Sequence, residues 1–273
     1  MTIVAISREM GSEGYAIAAA VAKALGFAYV DRQILLEAAH AHGVPEGQFA
    51  NVVERHLSVW ERFDTERRRY LAFLEAAYYT FAEKGNLVTA SRGGPFFVQD
   101  VSHALKVRIT APEAVRVRRI MVRDRLEEKA ATAKVRAYDR ETAARIDYLF
   151  GLDWTQPMHY DLVLNTKDDE WVFYTDLLVA AARHLRYQPT PTSVQRLRDL
   201  SLAAQVRAAL ATNRETQNLS LRVTAQGGRV TLKGVVFGAG MMDTAARVAE
   251  RVPGVTGVST EAVPVPLYLG PMI

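Results

Sequence analysis

The sequence predicts an α/β protein built on a mainly parallel sheet, followed by a smaller α+β unit of αββαβ order. Three observations carry this. Short apolar runs alternate with stretches of helical periodicity over the first two-thirds of the chain. A glycine-bearing loop separates the first such run from the first helical stretch. A proline- and threonine-rich segment, residues 188–195, then interrupts the pattern, and shorter strands with a Gly227-Gly228 turn follow it.

Residues 2–7 form an apolar run with no polar alternation, the mark of a buried strand covered on both faces. Ile17, Val21, Ala24 and Leu25 then repeat at helical spacing, and Gly26 ends that helix. Residues 27–30 read as a second strand and 33–42 as a helix. Residues 49–84 read as a long helical region in which Trp60, Phe63, Tyr70, Phe73, Leu74 and Ala77 share a face. Strands are expected at 86–90, 105–110 and 160–164. One long charged helix is expected over 115–145, and a last helix over 171–185. Strands alternating with helices imply βαβ units. In the smaller unit, the pattern gives a helix at 197–210, strands at 219–224 and 229–235, a helix at 243–252 and a strand at 255–265. The domain expectation is therefore 1–187, a linker 188–195, and 196–273.

Composition narrows the function classes. Of 273 residues, 49% are hydrophobic and 23% charged, which supplies a core without staples. Cysteine is absent, which excludes disulfides, thiolate nucleophiles and cysteine-ligated zinc. No basic flank precedes a long apolar run, and no stretch approaches the roughly 18 apolar residues of a membrane span. The expectation is a cytoplasmic protein. The net charge of +4 suits either a solvated surface or a site for anions such as phosphates. There is no basic tail of the kind that grips nucleic acid. The six histidines, among them His40, His42 and His103, make no metal-ligand pattern, and Tyr148, Trp154 and Tyr160 read first as core.

The opening strand, loop and helix aim backbone N–H groups and a helix dipole at one spot. Gly11 and Gly14 permit close approach to a phosphate, and Ser12 adds a hydroxyl. An ordinary strand-to-helix turn accounts for the same two glycines. A standard phosphate loop carries a lysine and a hydroxyl at fixed places. Here Gly14 and Ala16 occupy them, and Glu13 adds a negative charge.

These residues resemble the cytidylate-kinase-like family. The resemblance rests on Ser7-Arg8-Glu9-Met10-Gly11-Ser12-Glu13-Gly14 with the alanine-rich helix after it, and on Gly26 to Val30 followed by Asp31-Arg32-Gln33-Ile34-Leu35. Val88 to Gly94, Lys106 to Pro112, Arg145 to Tyr148 and Tyr160 to Thr166 are similar to further family segments in the same order. The resemblance covers roughly residues 1–187. It implies a P-loop nucleoside-monophosphate-kinase fold, an arginine-bearing lid, and Mg2+ with ATP as the cofactor. The C-terminal unit resembles a BON domain through Gly228 to Val235 and Val252 to Val258. That implies a binding module for a small ligand or a phospholipid surface.

Phosphoryl transfer needs positioning and positive charge more than covalent groups. The arginines are therefore the candidates for catalysis. Arg8 sits just before the loop and either replaces the missing lysine or pairs with Glu9 or Glu13. Arg116, Arg119 and Arg123 share a helical face, with Arg140 and Arg145 beyond. They either close over phosphates or line a solvated helix with Asp124, Glu127 and Glu128. The candidate phosphate loop is Gly11, Ser12, Glu13, Gly14 and Tyr15. Asp31 follows a strand and either contacts an acceptor or magnesium or caps the next helix. Arg92 follows another strand and is the candidate for an acceptor phosphate. The resulting expectation is an ATP-dependent phosphotransferase of the nucleoside monophosphate (cytidylate) kinase type. The rivals are a non-catalytic nucleotide-binding sensor and a scaffold that keeps the kinase fold.

Overall fold

The computed structural model describes residues 1–33, 37, 64–235 and 240–262. The chain divides into two compact units, one of Met1–Ala38 with Thr80–Leu197 and one of Ala39–Tyr79 with Arg198–Ile273.

The first unit is the α/β part. Strands β1 (Ile3–Arg8), β2 (Ala28–Asp31), β3 (Leu87–Ala90), β4 (Ala104–Thr110) and β5 (Leu162–Asn165) form one parallel sheet in the order β2-β3-β1-β4-β5. Helix α1 spans Gly14–Leu25; the next helix in the chain, α2 (Asp64–Glu83), falls mostly in the second unit. A single turn, α3, covers Gly94–Phe97. Then come α4 (Glu113–Asp124), α5 (Glu128–Phe150) and α6 (Trp171–Arg183).

Burial explains the strands. Val4, Ile6, Val88, Val107 and Ile109 pack against Ile17, Val21, Tyr174 and Leu178 of α1 and α6. The alternate residues Ile3, Ala5, Leu87 and Ala104 are also buried, so β1, β3 and β4 are covered on both faces. A second cluster joins Phe96, Ile146, Trp154 and Tyr160, as expected of those aromatics as core. A third joins Val117 and Ile120 of α4 to Ala131 and Val135 of α5.

The charged helical stretch expected over 115–145 is divided into two helices. Arg125 takes the left-handed conformation at φ 55° and ends α4, and Leu126 donates its amide back to Met121. The apolar period runs through the break, which is why the sequence hid it. Strand β5 starts two residues later than expected, because Asp161 is engaged by its amide to Lys106 O and by its carboxylate to the Lys106 amide. The helix expected at 33–42 and the stretch 49–63, with Trp60 and Phe63, lie outside the described residues, apart from isolated positions. Tyr70, Phe73, Leu74 and Ala77 of α2 are buried.

The segment read as a linker opens a helix, α7, at Pro191–Thr212. Thr190 and Ser193 exchange hydrogen bonds: the Thr190 amide donates to Ser193 Oγ at 2.9 Å and the Ser193 amide to Thr190 Oγ1 at 3.2 Å. Proline at the first helical position with a reciprocal cap around it is a helix start, and its composition mimics a linker.

In the second unit, β6 (Ser220–Gln226) and β7 (Arg229–Val235) form an antiparallel hairpin, and β8 (Gly257–Ala262) adds in parallel to β7. Gly227 and Gly228 both have positive φ, 57° and 88°, which the tight hairpin turn requires. Helix α8 (Met241–Glu250) and the later turns of α7 cover the sheet, with Val206, Val230, Leu232 and Ala245 fully buried.

Candidate functional site

The sheet order places a switch point at β1. The chain leaves β1 for β2 on one side, and later leaves β3 for β4 on the other. Ligand crevices in open α/β sheets form at such points, outside the carboxyl ends of the strands. Ile6 of β1 is level with Ala90 of β3, and Ala90 with Asp31 of β2. The residues leaving these strands, Arg8, Asp31 and Arg92, therefore surround one crevice. The loop 9–13 enters it from β1.

The loop is held by its carbonyls. Ser12 Oγ donates to Glu9 O at 2.8 Å, and Arg116 Nη1 to Met10 O at 3.4 Å. Arg119 Nη1 donates to Gly11 O at 3.1 Å, and Thr166 Oγ1 to Ser12 O at 2.9 Å. Four successive carbonyls are thus engaged by side chains. Gly11 makes the approach possible, since it sits at φ 76° and a Cβ there would meet Arg116 O at 2.8 Å. Glu13 takes the left-handed conformation at φ 58° as N-cap of α1, with no side-chain cap. The first-turn amides of α1 have no intrahelical acceptor, and they face the site with the positive end of the helix dipole.

Arg8 is 8% exposed. Its Nη1 donates to Tyr138 Oη at 3.1 Å, and its guanidinium stacks 3.3 Å from the centre of the Tyr15 ring. Its Nε is buried without a partner among the described residues. The expected pairing with Glu9 or Glu13 is not what forms. Glu9 instead accepts from Arg108 Nη2 and Thr110 Oγ1, each at 2.6 Å, and lies 3.3 Å from Arg116 Nε. Among the described residues, Arg8 has no carboxylate partner.

Arg92 joins it. Arg92 Nε donates to the same Tyr138 Oη at 3.0 Å, with its guanidinium 4.0 Å from that ring's centre. Two arginines from neighbouring strands thus converge on one phenol of α5. Tyr29, beside them, has its phenol pushed up to about 12 by burial first, then by the Asp31 carboxylate and Tyr15, with Arg8 opposing. Ser7 Oγ and Ser91 Oγ, at the ends of β1 and β3, are buried without partners among the described residues.

The other arginines are elsewhere. Arg119 is occupied by Gly11 O, by Thr166 O at 2.8 Å, by Asp168 O and by Asp169 Oδ1, and it stacks over Trp171. Arg116 is buried and forks onto Asp139 at 3.1 and 2.8 Å. Arg123 is exposed and held by Asp124 at 2.7 and 3.0 Å, a bond that raises its pKa. Arg140 is exposed and Arg145 half-buried, both on α5. Among the arginines expected over phosphate, the structure brings Arg8 and Arg92 together and sets Arg119 under the loop. Sequence reasoning missed Tyr138, Glu9, Arg108 and Thr166. Only Glu9 carried a local signal, as an acidic residue inside a phosphate loop.

Among the described residues, no group of three histidine, aspartate or glutamate side chains could hold a metal ion. No helix among them is long and apolar enough to cross a membrane.

Comparison with known proteins agrees with this architecture. Residues 198–263 match the BON domain. An uncharacterized protein from Eubacterium ventriosum is similar in structure, with a TM-score of 0.53 at 17% identity, covering 66% of this chain and 97% of that one. A shikimate kinase from Acinetobacter baumannii gives a TM-score of 0.40 at 13% identity, over 66% of this chain and 92% of that one. One from Bacteroides thetaiotaomicron gives 0.40 at 15%, over 72% and 96%. At these identities the first likeness speaks to fold alone, and the two shikimate kinases carry no argument. No curated protein matches the chain. Residues 3–168, more than half of the sequence, match the cytidylate kinase-like family, and the chain belongs to it.

Proposed function

We propose that the chain is an ATP-dependent phosphotransferase whose phosphate site is formed by the 11–15 loop, Arg8 and Arg92. One observation carries this reading. Arg8 is a buried guanidinium with no carboxylate partner among the described residues, and it sits beside loop amides that also seek an anion. A buried charge is costly unless it is paired. A phosphate in the crevice supplies the missing partner, and guanidinium groups fork onto its oxygens.

In this reading, the amides of residues 13–15 hold a transferred phosphate, and Arg8 takes the place of the missing lysine. Arg92 orients the acceptor. Ser7 and Ser91 are hydroxyls that an acceptor would satisfy. Arg119 and Arg116 are positioning residues, because they hold the loop carbonyls and so aim its amides. Arg123, Arg140 and Arg145, on α4 and α5, are the remaining arginines that would add positive charge around a bound phosphate. Magnesium bound to ATP offsets charge on the phosphates. The donor set fits an ion carried mainly by the nucleotide, because Glu9 is committed to Arg108, Thr110 and Arg116. Asp31, at the end of β2, is the carboxylate that would reach it. The BON domain is read as a ligand- or surface-binding module appended to the kinase-like domain.

A second reading, nucleotide binding without turnover, is favoured by Gly14 at the usual lysine position, with no serine or threonine directly after it. A coupled ADP-release assay across nucleoside monophosphates and small hydroxylated acceptors, run beside nucleotide binding, separates the two. Turnover with any acceptor supports the enzyme. Binding with no turnover across the panel supports the sensor. No nucleotide binding at all would sink both.

A further inference from the structure

Helix α6 closes the first unit with two unlike faces. Tyr174, Leu178 and Ala182 point into the sheet core. The opposite face is a stripe of Val172, Phe173, Asp176, Leu177, Ala180 and Arg183, all exposed. Val172 is 74%, Phe173 59% and Leu177 39% accessible. Single exposed apolar residues are ordinary, but three on one helical face form a patch that water disfavours. The patch lies on the helix that follows edge strand β5, whose Val163 is also 43% exposed.

The charges on this stripe say what covers it. Asp176 and Arg183 are seven residues apart, hence two turns and about 10 Å along the same face. Neither side chain has a partner among the described residues. A single ligand or an unrelated helix has no reason to meet this arrangement. A second copy running antiparallel does. Rotation about a two-fold axis near Ala180 brings each Asp176 opposite the other copy's Arg183. It makes two equivalent ion pairs from one self-complementary stripe. Ala180 at the crossing lets the helix axes approach closely. Phe173 and Leu177 are covered in the same step.

We propose that the chain self-associates as an isologous dimer through α6, with reciprocal Asp176–Arg183 pairs around Ala180. One helix face per copy is a small interface, so association is concentration-dependent.

Sedimentation velocity of the full chain, from low micromolar concentration upward, tests this. The expected result is a monomer–dimer equilibrium. Asp176→Arg brings like charges together and shifts it to monomer by at least ten-fold in dissociation constant. The double variant Asp176→Arg with Arg183→Asp restores the dimer. Both positions are exposed, and unchanged melting temperatures of the variants establish that folding is intact. A wild-type chain that is monomeric at every concentration overturns the proposal. So does a dimer that Asp176→Arg leaves unaltered, or one that the charge swap fails to restore.

Discussion

A Cβ on Gly14 would lie 2.6 Å from the Cβ of Arg8 and 3.1 Å from its Cδ. The first turn of α1 therefore has no side chain where a phosphate loop usually carries its lysine, because the Arg8 stem runs through that space. On the proposed reading, the cation that meets phosphate stands at the end of β1 instead of on the helix. This relationship makes a transplant possible. Gly14→Lys alone forces a clash and lowers both stability and nucleotide affinity. Arg8→Gly removes the obstructing atoms along with the charge. The double variant Arg8→Gly with Gly14→Lys is expected to recover nucleotide affinity to within about ten-fold of wild type, whereas Arg8→Gly alone loses about 10- to 100-fold, as for a charge-assisted bond. Calorimetric titration of the three variants checks this. Equal affinity of Arg8→Gly and the double variant would sink the substitution argument.

Tyr138 Oη accepts from both Arg8 and Arg92. A neutral phenol is a weaker partner for two cations than a phosphate, so under the proposed function it holds their place until an anion arrives. Tyr138→Phe keeps the ring beneath Arg92 and removes the oxygen. The ligand-free protein is expected to lose about 1 kcal/mol. Stabilisation by nucleotide, read as the rise in melting temperature at saturation, is expected to be larger than in wild type. A smaller rise would mean that the phenol contacts the ligand itself.

Gly11 carries a backbone requirement. At φ 76°, with Arg116 O 2.8 Å from any added Cβ, Gly11→Ala is strained and clashes with backbone. Chemical denaturation is expected to show a loss of about 2–4 kcal/mol, with nucleotide binding abolished. Gly26→Ala, where φ is also positive but nothing lies within 4 Å, is the control and costs about 1–2 kcal/mol with binding intact.

His103 is buried, with Nδ1 2.8 Å from Ser193 Oγ and Nε2 unpartnered among the described residues. Burial first, then the amino terminus of Met1, holds its pKa below the ordinary 6.5. The folded state thus binds this proton less readily than the unfolded chain. Stability from the neutral ring is complete above the unfolded value and is lost as pH falls through 6.5 toward the folded value. Denaturation midpoints measured from about pH 8 to pH 5 should fall across this window. His103→Gln, which keeps a hydrogen-bonding side chain but does not titrate, should flatten the profile. A profile unchanged by the substitution would assign the pH dependence to other groups.

Much of the fold was legible because burial writes itself into strands. Residues 3–8 lack polar alternation, and they form the strand buried on both sides. The hairpin was legible because Gly227 and Gly228 have a single structural purpose. The break at Arg125 was not, since an arginine in the left-handed conformation carries no sequence mark. Nor was the start of α7, where the cap residues Thr190 and Ser193 are those of a flexible linker. In the candidate site, the sequence offered Arg8 by its place before the loop and Arg92 by its place after a strand, and the structure sets both against Tyr138. The division among the remaining arginines was not legible. Helical spacing shows which share a face, but not that Arg119 holds Gly11 O while Arg123 holds Asp124. Tyr138 was invisible for a related reason, because its role depends on where α5 lies over strands far away in sequence.

The central claim is that Arg8 and Arg92 form an anion site with the loop at the end of β1. Titration of ATP with magnesium into the full chain, compared with Arg8→Ala and Arg92→Ala at matched ionic strength, tests it most directly. Saturable binding by wild type is expected, with losses of about 10- to 100-fold in affinity for Arg8→Ala and a smaller loss for Arg92→Ala. Wild-type binding that both variants retain in full would contradict it.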